Sequence, residues 1–275
     1  MKNLAEKTKS TSELLEIAIE ASIAAGKEIL KVYEADEISV EGKKDNSPLT
    51  EADLNSNSVI MKFLKETGIP IISEENKEVD FLKRREWDVC WVVDPLDGTK
   101  EFIKKNGEFT VNIALVSNGI PSIGVIYVPV SRELYYANTE QNSAYKQVLS
   151  TNHIIQGELY DFKNQIAPTP LSNETIRVVG SRSHMNEDTT KFVEGLKSKY
   201  KNVEIVSKGS SLKFCLVAEG KADIYPRFAP TMEWDTAAGQ AICNAVGLKV
   251  LNQETDNSLL YNKENLLNPY FLVVN

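Results

Sequence analysis

The sequence predicts an α+β protein of two domains, with a helix pair and a run of strands in the first and alternating strands and helices in the second. Residues 13–33 repeat apolar positions at helical spacing, and Ser10 with Glu13 fits a capping box at the start of this helix. From about residue 88 the apolar period becomes that of strands. After a polar stretch that begins near residue 145, strand and helix patterns alternate, so we expect two domains that meet at a cleft.

A second amphipathic helix is predicted to begin near Thr50, after the charged loop EGKKDNSP, and to direct four apolar side chains toward a core: Leu54, Ile60, Phe63 and Leu64. The strands of the first domain are predicted at VCWVV, FTVNIALV, GVIYVPV and ELYYAN, which together indicate an antiparallel meander. For the second domain the pattern predicts, in order, the strand IRVVGS, a helix around 186–199, the strand VEIVS, the helix SLKFCLVAEG, the strand DIYPRF, the helix DTAAGQAICNAVG and the strands LKVLN and YFLVVN. We therefore place the N-terminal domain at 1–145 and the C-terminal domain at 146–275.

Composition excludes several classes of function. The 275 residues carry 31 Lys and Arg against 39 Asp and Glu, and this net charge of −8 argues against a nucleic-acid duplex as partner. No apolar run approaches the roughly 20 residues that a bilayer crossing needs. The basic N-terminus leads into an acidic helix rather than into the apolar segment of a secretion signal, so we expect a cytoplasmic protein.

Cysteine usage agrees with a reducing compartment. Cys90, Cys215 and Cys243 lie far apart, and an odd number without a Cys-x-x-Cys pair does not suit a disulfide framework. We expect all three to be buried thiols. If the ligand of this acidic protein is phosphorylated, something other than net charge must attract it, and metal ions are the obvious candidate.

The densest chemical signal is the segment Asp94-Pro95-Leu96-Asp97-Gly98-Thr99, directly after the strand VCWVV. A carboxylate there lies where a buried strand meets solvent, Pro95 is expected to end the strand, and Gly98 lets the backbone approach a ligand closely. An ordinary Asp-Gly turn is the alternative, but two aspartates three apart, with a hydroxyl following, favour a metal site. Mg²⁺ prefers such carboxylate and carbonyl oxygens.

Three further acidic positions are candidates, each with a local alternative. Glu74 follows the short apolar segment Ile71–Ser73, and the alternative to a metal ligand is an acidic residue of a solvated loop. Asp235 lies where a helix starts and suits a helix N-cap, which is compatible with metal ligation because one oxygen can serve each purpose. Asp53 lies three residues after Thr50 and fits a capping box with it.

Competing catalytic motifs are absent from the sequence. The haloacid-dehalogenase phosphatases use an Asp-x-Asp-Gly-Thr nucleophile, but Pro95 occupies the position of that nucleophile here. No GxxxxGK[ST] loop is present, which excludes a P-loop hydrolase. With only His153 and His184, and no Cys/His ligand spacing, the sequence argues against zinc catalysis.

Four ordered motifs resemble the Mg²⁺-dependent, lithium-sensitive phosphatases of the inositol monophosphatase superfamily: KKDNSPLTEAD at 43–53, SEE at 73–75, DPLDGTKEF at 94–102 and WDTAAG at 234–239. GEFTVN at 107–112 and GSSLKFCLVAEG at 209–220 resemble its bacterial branch of 3'(2'),5'-bisphosphate nucleotidases. The resemblance runs from about residue 40 to the C-terminus and leaves 138–175 unmatched. It implies a layered α-β-α-β-α sandwich of the inositol monophosphatase/fructose-1,6-bisphosphatase type, with the active site between two domains.

The resemblance also implies residue roles. It matches Glu74, Asp94, the Leu96 carbonyl, Asp97 and Asp235 to metal ligands. Asp53, Thr99 and Glu74 match catalytic positions, Asp53 being linked to a further metal or its waters and Thr99 orienting the attacking water. The substrate contacts that it implies are Glu74, Leu96, Asp97, Gly98, Thr99, His184, Ser210, Lys213, Arg227 and Asp235.

The activity implied by the resemblance is hydrolysis of adenosine 3',5'-bisphosphate (PAP) to AMP and phosphate, and also of its sulfated relative PAPS, in support of sulfur assimilation and PAP recycling. Two or three Mg²⁺ are expected, because unpaired carboxylates a few ångströms apart repel one another and take up protons. The alternatives are an inositol or sugar-phosphate phosphatase and a metal-dependent nucleotide sensor without turnover. Association with the cytoplasmic side of the inner membrane is implied by the resemblance alone, and the oligomeric state stays open.

Overall fold

The computed structural model describes residues 9–35, 40–42, 48–76, 78–180 and 186–275. The chain begins with helix α1 (Thr11–Tyr33), a hairpin of β1 (Val40–Gly42) and β2 (Pro48–Thr50), and helix α2 (Glu51–Lys65). The predicted capping box of α1 is confirmed, since the Ser10 N–H donates to the Glu13 carboxylate at 2.7 Å.

The start of α2 at Thr50 is also confirmed, but its buried face differs from the prediction at one position. Ile60 and Leu64 are buried and Phe63 packs partly buried against the same core, whereas Leu54 is 49% exposed. Leu54 was wrongly assigned to the core because apolar spacing alone does not show where the buried stripe of a helix ends.

A seven-stranded sheet follows the helix pair, and its strand order is the order along the chain. Its strands are β3 (Ile71–Ser73), β4 (Val89–Asp97), β5 (Thr110–Ser117), β6 (Ile120–Val128), β7 (Glu133–Asn138), β8 (Ser143–Val148) and β9 (Gln165–Ile166). Among the described strands of this sheet, only β3 and β4 pair in parallel. The predicted antiparallel meander is therefore confirmed from β4 onward. Two short helices, α3 (Phe81–Arg84) and α4 (Thr99–Ile103), lie on either side of β4 in the chain.

Strand β4 does not end at Pro95, which corrects the sequence prediction. Asp94 pairs with Asn112 and Asp97 pairs with Thr110, and the register shifts between these two pairs. Proline removes only its own N–H from the ladder, so the strand can resume after a bulge. The bulge holds both aspartates at the end of one strand.

The remaining elements alternate as predicted: β10 (Thr175–Gly180), α5 (Glu187–Leu196), β11 (Asn202–Ser207), α6 (Leu212–Ala218), β12 (Tyr225–Arg227), α7 (Glu233–Ala245), β13 (Lys249–Asn252) and β14 (Phe271–Val274). Strands β10 and β11 form a parallel pair, and β12, β14 and β13 form an antiparallel sheet in that order. A bridge between Val178 and Ile224 connects the two.

Alternate side chains of the large sheet enter two different cores, because successive residues of a strand point to opposite faces. Trp91 and Val93 pack with α1 and α2, while Val92 and Ala114 pack with α6, α7 and the three-stranded sheet. A smaller core joins β10 to α5. The layers therefore alternate α-β-α-β-α, and the predicted layered sandwich is confirmed.

Helix α7, from the second half of the chain, packs across β5 and β6 of the seven-stranded sheet. The proposed domain boundary between residues 145 and 146 stays a prediction, and β8 runs across that point.

All three cysteines are buried free thiols, as expected. No helix within the described ranges has the length and apolarity to span a bilayer.

Candidate active site

Three carboxylates meet where β4 ends against the first turn of α7. One oxygen each of Asp94, Asp97 and Asp235 lies within 4.8 Å of the others. Glu74 follows β3, the parallel neighbour of β4, and its backbone N–H donates to the Val93 carbonyl at 3.2 Å. The charge of Glu74 acts on all three aspartates, and we refer to these four residues as the acidic cluster.

Burial and like charges act against ionisation of the aspartates in the acidic cluster. Burial, reinforced first by Glu74 and then by the other aspartates, raises the pKa of Asp94 well above its ordinary value. Burial and the neighbouring Asp97 raise the pKa of Asp235 to about 7. Cations between these aspartates would favour the ionised forms, and an all-oxygen donor set fits hard divalent cations.

Each aspartate of the acidic cluster is oriented by a backbone N–H. Leu96 N–H donates to Asp94 Oδ1 at 3.0 Å, and Ser211 N–H donates to Asp97 Oδ2 at 2.5 Å. Asp235 is not the N-cap of α7, which corrects its local interpretation. It lies in the first turn, and its Oδ2 accepts from the N–H of the N-cap residue Met232 at 2.8 Å.

Asp53 combines its capping role with a contact to the site. The Thr50 N–H and hydroxyl donate to its Oδ2 at 2.8 and 2.6 Å, and the Thr99 hydroxyl donates to its Oδ1 at 3.3 Å. The same hydroxyl lies 3.5 Å from the Leu96 carbonyl oxygen. Thr99 therefore lies between a buried carboxylate and the carbonyl that was predicted to bind metal.

Both the backbone conformation at residue 98 and the space around it require a glycine there. Its φ of +92° is in the left-handed region, and a Cβ there would lie 2.1 Å from Ser210 Oγ. Close approach of a ligand to Gly98 stays a prediction, and in this structure the loop before α6 also lies close to it.

A cavity of about 130 Å³ opens beside the acidic cluster, and we call it the cationic cavity because Lys213 and Arg227 line it. The other residues of its wall are Asp97, Gly98, Glu101, Gly209, Ser210, Ser211, Phe214, Tyr225, Thr231, Asp235 and Thr236. Lys213 is buried, and this burial lowers its pKa to about 8. The Lys213 ammonium lies 5.6 Å from the centre of the Tyr225 ring.

The predicted substrate contacts differ in how they are placed. Ser210 lies just before α6, and its hydroxyl lies 2.9 Å from the Asp97 carbonyl oxygen and 2.7 Å from that of Glu108. A hydroxyl has one hydrogen to donate, so Ser210 joins the two halves of the site through either carbonyl. His184 lies outside the described residues.

A network of buried polar side chains next to Asp97 was not predicted from the sequence. The hydroxyls of Thr110 and Ser211 lie 2.8 Å apart, and Ser211 donates to the Asn112 side-chain oxygen at 2.7 Å. The Asn112 amide reaches Asp97 at 3.5 Å. The available signal was the pair of polar residues in the apolar run FTVNIALV, since a buried polar side chain in a strand needs a partner.

A model of the inositol monophosphatase family matches residues 10–270. The chain belongs to the inositol monophosphatase family. Two relatives within it carry the name 3'(2'),5'-bisphosphate nucleotidase CysQ. The one from Salmonella typhimurium is 42% identical over 263 residues, covering 94% of this chain and 99% of the relative. The one from Buchnera aphidicola is 44% identical over 245 residues, covering 86% and 84%.

Solved structures of inositol monophosphatase family members agree with the fold. CysQ from Bacteroides thetaiotaomicron matches with a TM-score of 0.85 and 49% identity, covering 96% of this chain and 97% of the other. An IMPase from Thermotoga maritima matches with a TM-score of 0.73 at 22% identity, covering 96% and 92%, which supports the fold alone. The inositol monophosphatase family is metal-dependent, and the acidic cluster fits that chemistry.

Proposed function

We propose that this chain is a Mg²⁺-dependent 3'(2'),5'-bisphosphate nucleotidase that converts PAP to AMP and phosphate and also acts on PAPS. The observation that carries the proposal is the adjacency of the acidic cluster and the cationic cavity, which share Asp97 and Asp235 in their walls. One region suits a metal-bound phosphate, and the other supplies cations for a second anionic group. The names of the relatives at 42 and 44% identity support the same activity.

The acidic cluster and the Leu96 carbonyl would hold two or three Mg²⁺. Bound Mg²⁺ would supply a more acidic water and stabilise charge on the phosphate and on the leaving oxygen. The chain's own contribution is to fix the carboxylates, through the backbone N–H groups of Leu96, Ser211 and Met232, before any cation arrives.

Thr99 and Asp53 are proposed to orient the attacking water. The Thr99 hydroxyl donates to Asp53 Oδ1, so its oxygen lone pairs can accept a hydrogen from water. Asp53 keeps its orientation because Thr50 occupies its other oxygen. No side chain stands out as a nucleophile, which favours direct attack in which the water–phosphorus bond forms as the bond to the 3'-oxygen breaks.

Lys213 and Arg227 are proposed to bind the 5'-phosphate, with Ser210 and His184 as further contacts to the nucleotide. Lys213 is buried and Arg227 is half-buried, and both cations line the cavity beside the acidic cluster, where they can hold a second phosphate while the first is bound to metal. A cytoplasmic location is part of the proposal and is supported by the three free thiols.

An inositol or sugar-phosphate phosphatase is the second candidate, favoured by the family model that matches the chain. Hydrolysis of PAP, inositol 1-phosphate and fructose 1,6-bisphosphate, each with Mg²⁺ and with EDTA, separates the candidates. We expect PAP to have the highest kcat/KM and EDTA to abolish phosphate release. Metal-independent release, or no release from PAP with Mg²⁺, would contradict the proposal.

A further inference from the structure

Two buried polar atoms of the cationic cavity have no hydrogen-bond partner within the described part of the chain. They are the Nε of Arg227 and the Oγ1 of Thr231, and both residues line the cavity. Thr231 as a whole is 8% exposed. A buried donor without a partner destabilises a folded protein, and such atoms are uncommon in native structures. Two such atoms in residues that line one cavity point to a partner beyond the described residues, and a bound ligand can supply it.

The hydroxyl of Thr231 is not needed to hold its own backbone. The Thr231 carbonyl accepts from the Asn268 N–H at 2.8 Å, and the Asn268 side-chain amide donates to the Met232 carbonyl at 2.8 Å. Asn268 is buried and therefore fixes this segment ahead of α7. The Thr231 backbone is anchored by Asn268, whereas its buried hydroxyl has no hydrogen-bond partner among the described residues.

The size and charge of the cavity describe the missing partner. Its volume of about 130 Å³ lies below the roughly 300–1,000 Å³ of pockets that take a whole ligand, so it fits one substituent of a larger molecule. The Lys213 ammonium and the Arg227 guanidinium supply only donors, and a hydroxyl can donate as well. The wall also carries the carboxylates of Asp97, Glu101 and Asp235, and the first and last of these belong to the acidic cluster. The three donors are suited to the oxygens of a phosphate group.

We propose that Thr231 is a specificity-determining residue whose hydroxyl donates a hydrogen bond to the second phosphate of the nucleotide, beside Arg227 Nε and Lys213. The inference rests on the proposed nucleotidase function and adds a residue to it. Lys213 and Arg227 attract an anion by charge, whereas the single hydroxyl of Thr231 selects a group with an acceptor oxygen at one position. Thr231 thereby helps to distinguish a bisphosphate from a monophosphate.

The free protein gains nothing from this hydroxyl. Thr231→Val keeps the shape of the side chain and removes a buried atom that lacks a partner, so thermal unfolding should occur at the same or a higher temperature. A threonine with a structural role would instead destabilise the protein when changed. Thermal unfolding of the variant without nucleotide therefore separates the two roles.

The deciding experiment compares PAP with adenosine 3'-monophosphate, which lacks the 5'-phosphate, in the full-length enzyme with Mg²⁺. Thr231→Val should lower kcat/KM for PAP by about 10- to 100-fold, mainly through KM, which is the range of one hydrogen bond to a charged group. The rate with adenosine 3'-monophosphate should change less than about threefold, on the scale of a neutral site. Thr231→Ser should restore most of the PAP activity.

Two controls complete the design. Thr190→Val makes the same chemical change on the exposed surface of α5, and both substrates should be unaffected. AMP, which retains the 5'-phosphate, should inhibit PAP hydrolysis less strongly in Thr231→Val, while inhibition by adenosine should not change.

Equal losses on both substrates, or no loss on PAP, would overturn the role of Thr231. Failure of the proposed function appears elsewhere, in the unmodified enzyme, as an equal preference for PAP and monophosphates. An unmodified enzyme that prefers PAP, together with an unaffected Thr231→Val, would remove only the inference about Thr231.

Discussion

The acidic cluster and the cationic cavity lie side by side, yet their polar atoms are paired in different ways. Each aspartate of the cluster accepts a hydrogen bond from a backbone N–H and is held in place by the protein alone. In the cavity, Arg227 Nε and Thr231 Oγ1 have no partner among the described residues. The aspartates of the cluster are thus fixed within the fold, while the cavity contains two polar atoms that the described residues leave without a partner.

A second contrast lies within one turn of α7. Glu233 and Asp235 are two residues apart, and Glu233 is fully buried but accepts from the N–H groups of Asn262 and Lys263 and from the Lys263 ammonium at 2.6 Å. Burial raises the pKa of Glu233, and these donors within the fold oppose that shift. Burial and then the neighbouring Asp97 raise the pKa of Asp235, and among the described residues only one backbone N–H, that of Met232, donates to its carboxylate. Similar carboxylates therefore serve structure in one case and the candidate site in the other.

The largest effect is expected from Asp94→Asn. The amide keeps the shape of the side chain but loses the charge that holds cations, so kcat should fall by at least about 10³-fold. Thermal stability without metal should not fall, because the change removes a buried group that is costly to ionise. Steady-state kinetics at saturating Mg²⁺ and thermal unfolding measure the two quantities. Asp256→Asn, at an exposed position, is the control, and near-normal kcat in Asp94→Asn would reduce Asp94 to a turn residue.

A smaller effect is expected from Thr99→Ala. Removing the hydroxyl between Asp53 and the Leu96 carbonyl leaves the water without its orienting contact, so kcat should fall by about 10²-fold with little change in KM. Thr99→Ser keeps the hydroxyl and should retain most of the activity. A change confined to KM would show that Thr99 binds substrate instead.

Substitutions in the cationic cavity should act on one class of substrate. Lys213→Ala or Arg227→Ala should weaken kcat/KM for PAP by roughly 1 to 3 kcal/mol, the contribution of a charge-assisted hydrogen bond. Hydrolysis of a small monophosphate should be barely affected, since it leaves the cavity empty. Equal losses on both substrates would place these residues in the catalytic centre and erase the contrast between the two regions.

The smallest effect tests whether the two regions act independently. Lithium should inhibit PAP hydrolysis at high Mg²⁺, as is typical of the family, because a single positive charge at a metal position activates water poorly. Lithium should inhibit the same fraction of the activity in Lys213→Ala as in the unmodified enzyme. Insensitivity up to high millimolar lithium would indicate that the metal positions differ from the family pattern.

Local patterns predicted most of the architecture. Apolar spacing located most of the helices and strands. The pairs Ser10 with Glu13 and Thr50 with Asp53 predicted where α1 and α2 begin. These features depend on neighbours within a few residues, which a sequence displays directly. Leu54 was misassigned because its exposure depends on what packs against α2, and periodicity carries no such information.

By itself, the sequence determined which residues have the right chemistry, since Glu74, Asp94 and Asp97 come after short apolar segments and offer carboxylate oxygens. Only the tertiary structure decided which of them meet. The bulge in β4 holds Asp94 and Asp97 together, and the packing of α7 on β5 and β6 brings Asp235 from the second half of the chain. The open donors of Arg227 and Thr231 also emerge only in the fold, because an atom lacks a partner only once every neighbour has been placed.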